Sequence, residues 1–210
     1  MAYERYPTRT AERNYFSIPN QIHTYRISPA AYAVYVYVRH NRKNDPRLKG
    51  MAEQLQISHA VAAKALEELV DQHLLMEFDG QYFLRWLGEE TGNCYLLPNE
   101  IFHLGLRVGE IAVYGFLLCC ENRKTYQCYP SYRTIGDAVG MSKNTVKKYV
   151  DGLINKRLIY TEPTTVWGEG GKKRNGTLLY TIRPIYEAIQ HHANLQLEQM
   201  DMLRNTDTPA

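Results

Sequence analysis

Between Ser142 and Val150 the chain reads Ser-Lys-Asn-Thr-Val-Lys-Lys-Tyr-Val. With Ser142 as a helix cap, Lys143, Asn144, Lys147 and Lys148 fall on or near the outer face of one helix. An asparagine amide can bond a base edge and lysine ammonium groups neutralise phosphates, so this face suits a DNA major groove, with Thr145 as a further contact. That chemistry is recognition, not bond-making. Any solvated helix can carry lysines, however, so the positions around the face must decide.

Those positions carry a helix-turn-helix pattern from Tyr132 to Val150. Ile135 and Val139 are apolar on the first helix, and small Gly136 lies between them where two helices would approach closely. Gly140 stands where the chain must turn with positive φ. Met141 plugs the turn, while Val146, Val150 and Leu153 face inward. A second basic element follows. Lys172, Lys173 and Arg174 sit among Gly168, Gly170, Gly171 and Gly176, which predicts a flexible hairpin tip able to lie along phosphates or enter a minor groove. A phosphate-cradling nucleotide loop is excluded, because GxxxxGK[ST] and its strand–loop–helix context are absent.

The elements that position these residues occur twice. Ile18-Pro19-Asn20-Gln21-Ile22 matches Leu97-Pro98-Asn99-Glu100-Ile101 at an offset of 79 residues. Ser58, Leu66 and Leu69 match Ser142, Val150 and Leu153 at an offset of 84. An offset that grows in steps is what loop insertions between repeated elements produce. Two copies of one unit mean two small domains, since a solenoid needs three or more short repeats. Each unit predicts a first helix (Tyr32, Tyr35, Val36 and Val38; Ile111, Tyr114, Leu117 and Leu118), two shorter helices around a tight turn, and a strand pair. The first pair turns at Asp79-Gly80. The second is expected at Leu158–Thr165 and Thr177–Arg183.

The expected fold is therefore α+β, mostly α: two tandem winged helix-turn-helix domains and a C-terminal helix. The boundaries are a flexible N-terminal arm at 1–14, a first domain at 15–88, a second at 94–183 that is the main DNA reader, and the helix at 184–203. A polar, disordered tail is expected at 204–210. The first unit has Gln56 where the second has its turn glycine, and its second helix exposes His59, Ala60, Ala63, Lys64 and Glu67. That face is close to neutral, which suits a secondary DNA contact through His59 and Lys64 or a protein contact. The C-terminal stripe Ile185, Ile189, His192, Leu195, Gln199 and Met202 predicts either a dock on the same chain or a homodimer.

Charge follows the same division. Residues 1–92 hold 11 basic and 11 acidic side chains, residues 93–183 hold 13 and 7, and residues 184–210 hold 1 and 4. The whole positive field lies in the second unit, as a polyanion-binding module requires. Over 210 residues, 44% apolar and 22% charged composition excludes a disordered or fibrous chain. The apolar run Ile111–Cys120 is about half a membrane span, and the polar N-terminus predicts no signal peptide. The four cysteines lack CxxC spacing, Cys119-Cys120 reads as core, and His191-His192 lacks ligand spacing. No metal, no cofactor, no catalytic constellation and a cytoplasmic location are expected.

From Leu97 to Ile182, with Pro130-Ser131 before the first helix and Thr145-Val146 in the second, the chain resembles helix-turn-helix proteins of bacterial mobile elements. Its two-fold repetition is similar to plasmid and phage replication initiators built of tandem winged helices. The resemblance implies double-stranded DNA binding through Lys143, Asn144, Thr145, Lys147 and Lys148. It leaves replication initiator and transcription regulator both open, with a protein-docking adaptor as the alternative class.

Overall fold

The computed structural model describes residues 14–41, 48–85, 93–167 and 173–206. The N-terminal arm up to residue 13, the junction at residues 86–92 and the loop at 168–172 lie outside the described residues. The first unit runs β1 (Tyr15–Pro19), a 3-10 turn (Asn20–Thr24), α1 (Pro29–His40), α2 (Leu48–Gln54), α3 (His59–Asp71), β2 (Leu75–Phe78) and β3 (Gln81–Leu84). The second runs β4 (Cys94–Pro98), a 3-10 turn (Asn99–His103), α4 (Val108–Cys120), β5 (Gln127–Cys128), α5 (Tyr132–Val139), α6 (Lys143–Asn155), β6 (Ile159–Trp167) and β7 (Lys173–Ile182). Helix α7 (Ile185–Thr206) closes the chain.

Local chemistry accounts for the element ends. Ser28 Oγ accepts the Ala31 N–H at 3.2 Å, with Pro29 in the first turn of α1. Asp79 (φ 52°) and Gly80 (φ 72°) are both left-handed, which matches a two-residue hairpin turn to the strand twist. The repeat is visible even in strained positions. Arg26, Gln56 and His73 have φ of 50°, 52° and 56°, and their counterparts Gly105, Gly140 and Arg157 have 59°, 65° and 60°. Gln56 therefore holds the conformation that Gly140 adopts freely; a left-handed non-glycine residue costs about 1–2 kcal/mol.

The two units share one core. β1 pairs antiparallel with β4 so that Ser17 lies opposite Leu96, its own counterpart at the 79-residue offset. Helices α1 and α4, also counterparts, pack against each other. An approximate two-fold axis thus runs between Ser17 and Leu96, and the contacts on its two sides correspond. His23 stacks on Tyr95 (5.7 Å between ring centroids, 24° between planes) and meets Phe116 edge-on at 80°. Across the axis Phe102 stacks on Phe16 (6.3 Å, 16°) and meets Tyr37 edge-on at 81°. One side is apolar, the other hydrogen-bonded: His23 Nε2 lies 3.2 Å from the Tyr95 hydroxyl, which also bonds Tyr32.

Burial pushes the His23 imidazole down from 6.5 to about 4. Between these values the unfolded chain binds the extra proton, so the contribution is intact above pH 6.5 and is lost as pH falls toward 4. His23→Phe, which copies Phe102, should remove that loss. Urea unfolding at neutral and acid pH should show the variant losing about 3 kcal/mol less than the parent over the interval. Equal losses would show that His23 is not held neutral.

Three expectations need correction. The second hairpin is longer than predicted and three-stranded, in the order β5-β7-β6. Lys173 and Arg174 therefore lie in strand β7, opposite Trp167 and Val166, and not in a loop. The expected strands stop at Thr165 and resume at Thr177 because Gly168, Gly170, Gly171 and Gly176 read as loop; within the observed pair the register shifts between Pro163 and Thr165. Cys119 is half-buried and Cys120 exposed, because α4 ends there and leaves the core. Burial still raises both thiols, to about 12 and about 11. The C-terminal helix runs to Thr206, beyond the expected start of a tail. Its expected stripe is not one buried face: Ile185 and His192 are half-buried, whereas Leu195, Gln199 and Met202 are exposed.

Candidate nucleic-acid interface

Helix α5 starts at Ser131, whose Oγ accepts the Thr134 N–H at 3.0 Å. It ends at left-handed Gly140, and Met141 N–H returns to the Gly136 carbonyl at 2.9 Å. A Cβ on Gly136 would overlap the Met141 carbonyl oxygen, so the tight turn selects glycine there. Ser142 Oγ then accepts the Thr145 N–H at 3.3 Å and opens α6. Val146, Val150 and Leu153 are fully buried beneath that helix, and Ile135 and Val139 are buried on α5. All five occupy the positions their spacing predicts.

This packing leaves Lys143, Asn144, Lys147 and Lys148 exposed together at the N-terminal half of α6. Thr145 is placed differently. It is half-buried, and its hydroxyl lies 2.8 Å from Ser142 Oγ, where it supports the cap. Asp151 is exposed one turn after Lys147, so the positive field is strongest near the helix start. The N-terminal helix dipole adds to that field.

The second hairpin carries Arg174 exposed on β7 beside Trp167, itself 71% exposed. Lys172 falls outside the described residues. Core spacing on the first helices of the two units accounts for most of the aromatics but not for exposed Trp167, nor for Tyr129, exposed just before α5. The available signal was their place beside Gly168 and Pro130, where strand and helix packing stop.

Residues 104–159 match the helix-turn-helix domain family. The match spans α4, α5 and α6, with the basic face just described, and marks this segment as a helix-turn-helix domain of the DNA-binding type. It covers about a quarter of the chain. No curated protein matches the chain. Among solved structures, the DIP2311 protein from Corynebacterium diphtheriae aligns with 72% of this chain and 26% of its own, at 17% identity and a TM-score of 0.23. The chain thus spans about a quarter of that protein's length.

The first unit presents a different surface through the same elements. Ser58 Oγ caps α3 by accepting the Val61 N–H at 3.2 Å, and His59, Ala60, Val61, Ala63, Lys64 and Glu67 are exposed. Glu68 does not offset Lys64, because it turns inward to the Ser28 N–H at 2.6 Å. On the hairpin, Met76 lies opposite Phe83, and both are exposed with Phe78. Glu77 and Asp79 border them. This face is apolar and acidic where its counterpart is basic. Among the described residues no group of three or more His, Cys, Asp or Glu side chains could hold a metal ion. No described helix is long and apolar enough to cross a membrane.

Proposed function

We propose that the protein is a sequence-specific double-stranded DNA-binding protein of tandem winged-helix design, a transcription regulator or replication initiator of a bacterial mobile element. The observation that carries this reading is the exposed group Lys143, Asn144, Lys147 and Lys148 on the second helix of the matched domain. Asn144 and Lys143 are the base readers; Lys147, Lys148 and Arg174 neutralise phosphate, with Lys172 and Lys173 extending that contact. The protein acts by binding, not catalysis, in the cytoplasm, and a second copy of the chain joined through α7 is its other partner.

The first unit is a protein-contact domain in this reading. Its exposed Met76, Phe78 and Phe83 are unsuited to phosphate, and its acidic neighbours repel it. The same surface favours the second reading, an adaptor that docks proteins without DNA specificity. Fluorescence anisotropy with random duplex at two salt concentrations separates the two. Binding that weakens steeply with added salt supports the DNA reader. Binding absent at low salt leaves the adaptor.

A further inference from the structure

We propose that Arg26, a residue of the first unit, completes the DNA-binding surface of the second by holding a phosphate beside the start of α6. The inference rests on the DNA reading above and adds a contact that neither second helix nor hairpin supplies. The loop from the first 3-10 turn to α1 crosses to the second unit and lies against its helix-turn-helix corner. Helix α5 packs on that 3-10 turn. A Cβ built on Gly140 would lie 3.5 Å from the Ile27 carbonyl oxygen and 3.9 Å from that of Arg26. Lys143 comes three residues after Gly140, so the Arg26 backbone borders the basic end of α6.

Conformation singles out the same residue. Arg26 stands in the left-handed region at φ 50°, where its counterpart Gly105 stands at 59°. The repeat builds this turn for glycine, and an arginine there opposes its own preference. Strain kept where a glycine would relieve it points to a use for the side chain. Packing does not supply that use, because Arg26 is exposed. Nor does an ion pair. Among the described residues Arg26 has no carboxylate partner, and Asp137, the one acid on α5, lies 3.8 Å from Arg133.

The counterpart loop is closed where this one is open. The Gly105 carbonyl accepts the Lys156 ammonium at 2.8 Å, and a Cβ on Gly105 would lie 3.6 Å from His192 Cε1 of α7. A side chain at that position would meet α7 instead of solvent. Beside Arg26 the exposed loop neighbours Gln21 and Thr24 are uncharged, so neither repels a phosphate. A guanidinium fork bonds phosphate oxygens through paired N–H groups, and a phosphate near the first turn of α6 also meets that helix's dipole.

The test replaces Arg26 in the full chain by glycine, the residue the repeat itself uses at this turn. Arg26→Gly should melt no lower than the parent, since glycine adopts the left-handed turn freely. Its affinity for a random-sequence duplex, followed by fluorescence anisotropy, should fall roughly tenfold at low salt. The magnitude of the log K against log [salt] slope should fall by roughly 0.9, the share of one phosphate contact. Arg26→Lys should keep that slope and lose part of the affinity, because the charge stays and the fork goes. Lys64→Ala removes the same charge from an exposed helix of the same unit and controls for a diffuse field. An Arg26→Gly effect no larger than that of Lys64→Ala, with the double Lys147→Ala, Lys148→Ala chain still impaired, would overturn the Arg26 contact and leave the DNA reading standing. A parent chain that binds no duplex at any salt overturns both.

Discussion

Replacing Lys147 and Lys148 together by alanine should weaken binding to every duplex alike, cognate or scrambled. Both ammonium groups are exposed on α6 and neither has a carboxylate partner among the described ion pairs, so their loss removes field without disturbing the fold. Each lost phosphate contact should reduce the magnitude of the log K against log [salt] slope by roughly 0.9. Asn144→Ala should leave that slope nearly unchanged. It should cost about 1–3 kcal/mol on the preferred site and relax choice at one base position. Lys64→Ala, on the corresponding helix of the first unit, should do little. Glu67 lies exposed nearby, and the surface around it is apolar and acidic. The measurement is a salt series on both duplexes for each variant. A Lys64→Ala effect as large as the double replacement would make the first unit an equal reader and defeat the charge argument.

How far sequence reaches depends on whether a position's chemistry admits few residue types. The turn between α5 and α6 needs a left-handed residue, a small one in close approach and a cap. Gly140, Gly136 and Ser142 meet those needs, so the motif was readable residue by residue. The first unit was harder for the same reason: Gln56 takes the glycine conformation against its preference, and only the repeat betrayed it. Other features leave no local mark. An offset of 79 residues says that Ser17 and Leu96 are equivalent, not that they face each other across one sheet. A contact between equivalents depends on symmetry, which periodicity cannot encode. The two-residue strand β5 was also invisible, because it is too short to alternate. Helix α7 was found from its spacing, but where it leaves the body depends on how far the core extends, and the stripe was drawn across that limit.

The repeat also exchanges the source of one carboxylate between the two units, which should be testable as a rescue. In the first unit Glu68 of α3 accepts the N–H of Ser28, the cap of α1, at 2.6 Å. In the second, the counterpart of Glu68 is Gly152, and the carboxylate comes from the other helix: Glu110 of α4 accepts the Arg107 N–H at 2.7 Å. Glu110 is only 4% exposed and sits so near Gly152 that a Cβ there would overlap its Oε1. Lys156 completes the arrangement, 2.6 Å from Glu110 Oε2 and 2.8 Å from the Gly105 carbonyl. Glu110→Ala should therefore cost about 3 kcal/mol, since it strands a cap N–H and a half-buried ammonium together. Gly152→Glu alone should also destabilise, because two carboxylates would compete for one site. The double variant Glu110→Ala, Gly152→Glu rebuilds the Ala31 and Glu68 pair of the first unit. It also places the new carboxylate four residues before Lys156 on the same helix, a favourable order. Urea unfolding of the two single variants and the double one should give a coupling energy of about 2 kcal/mol or more in the rescuing direction. Strictly additive losses would mean that the two units hold their first helices by unrelated contacts.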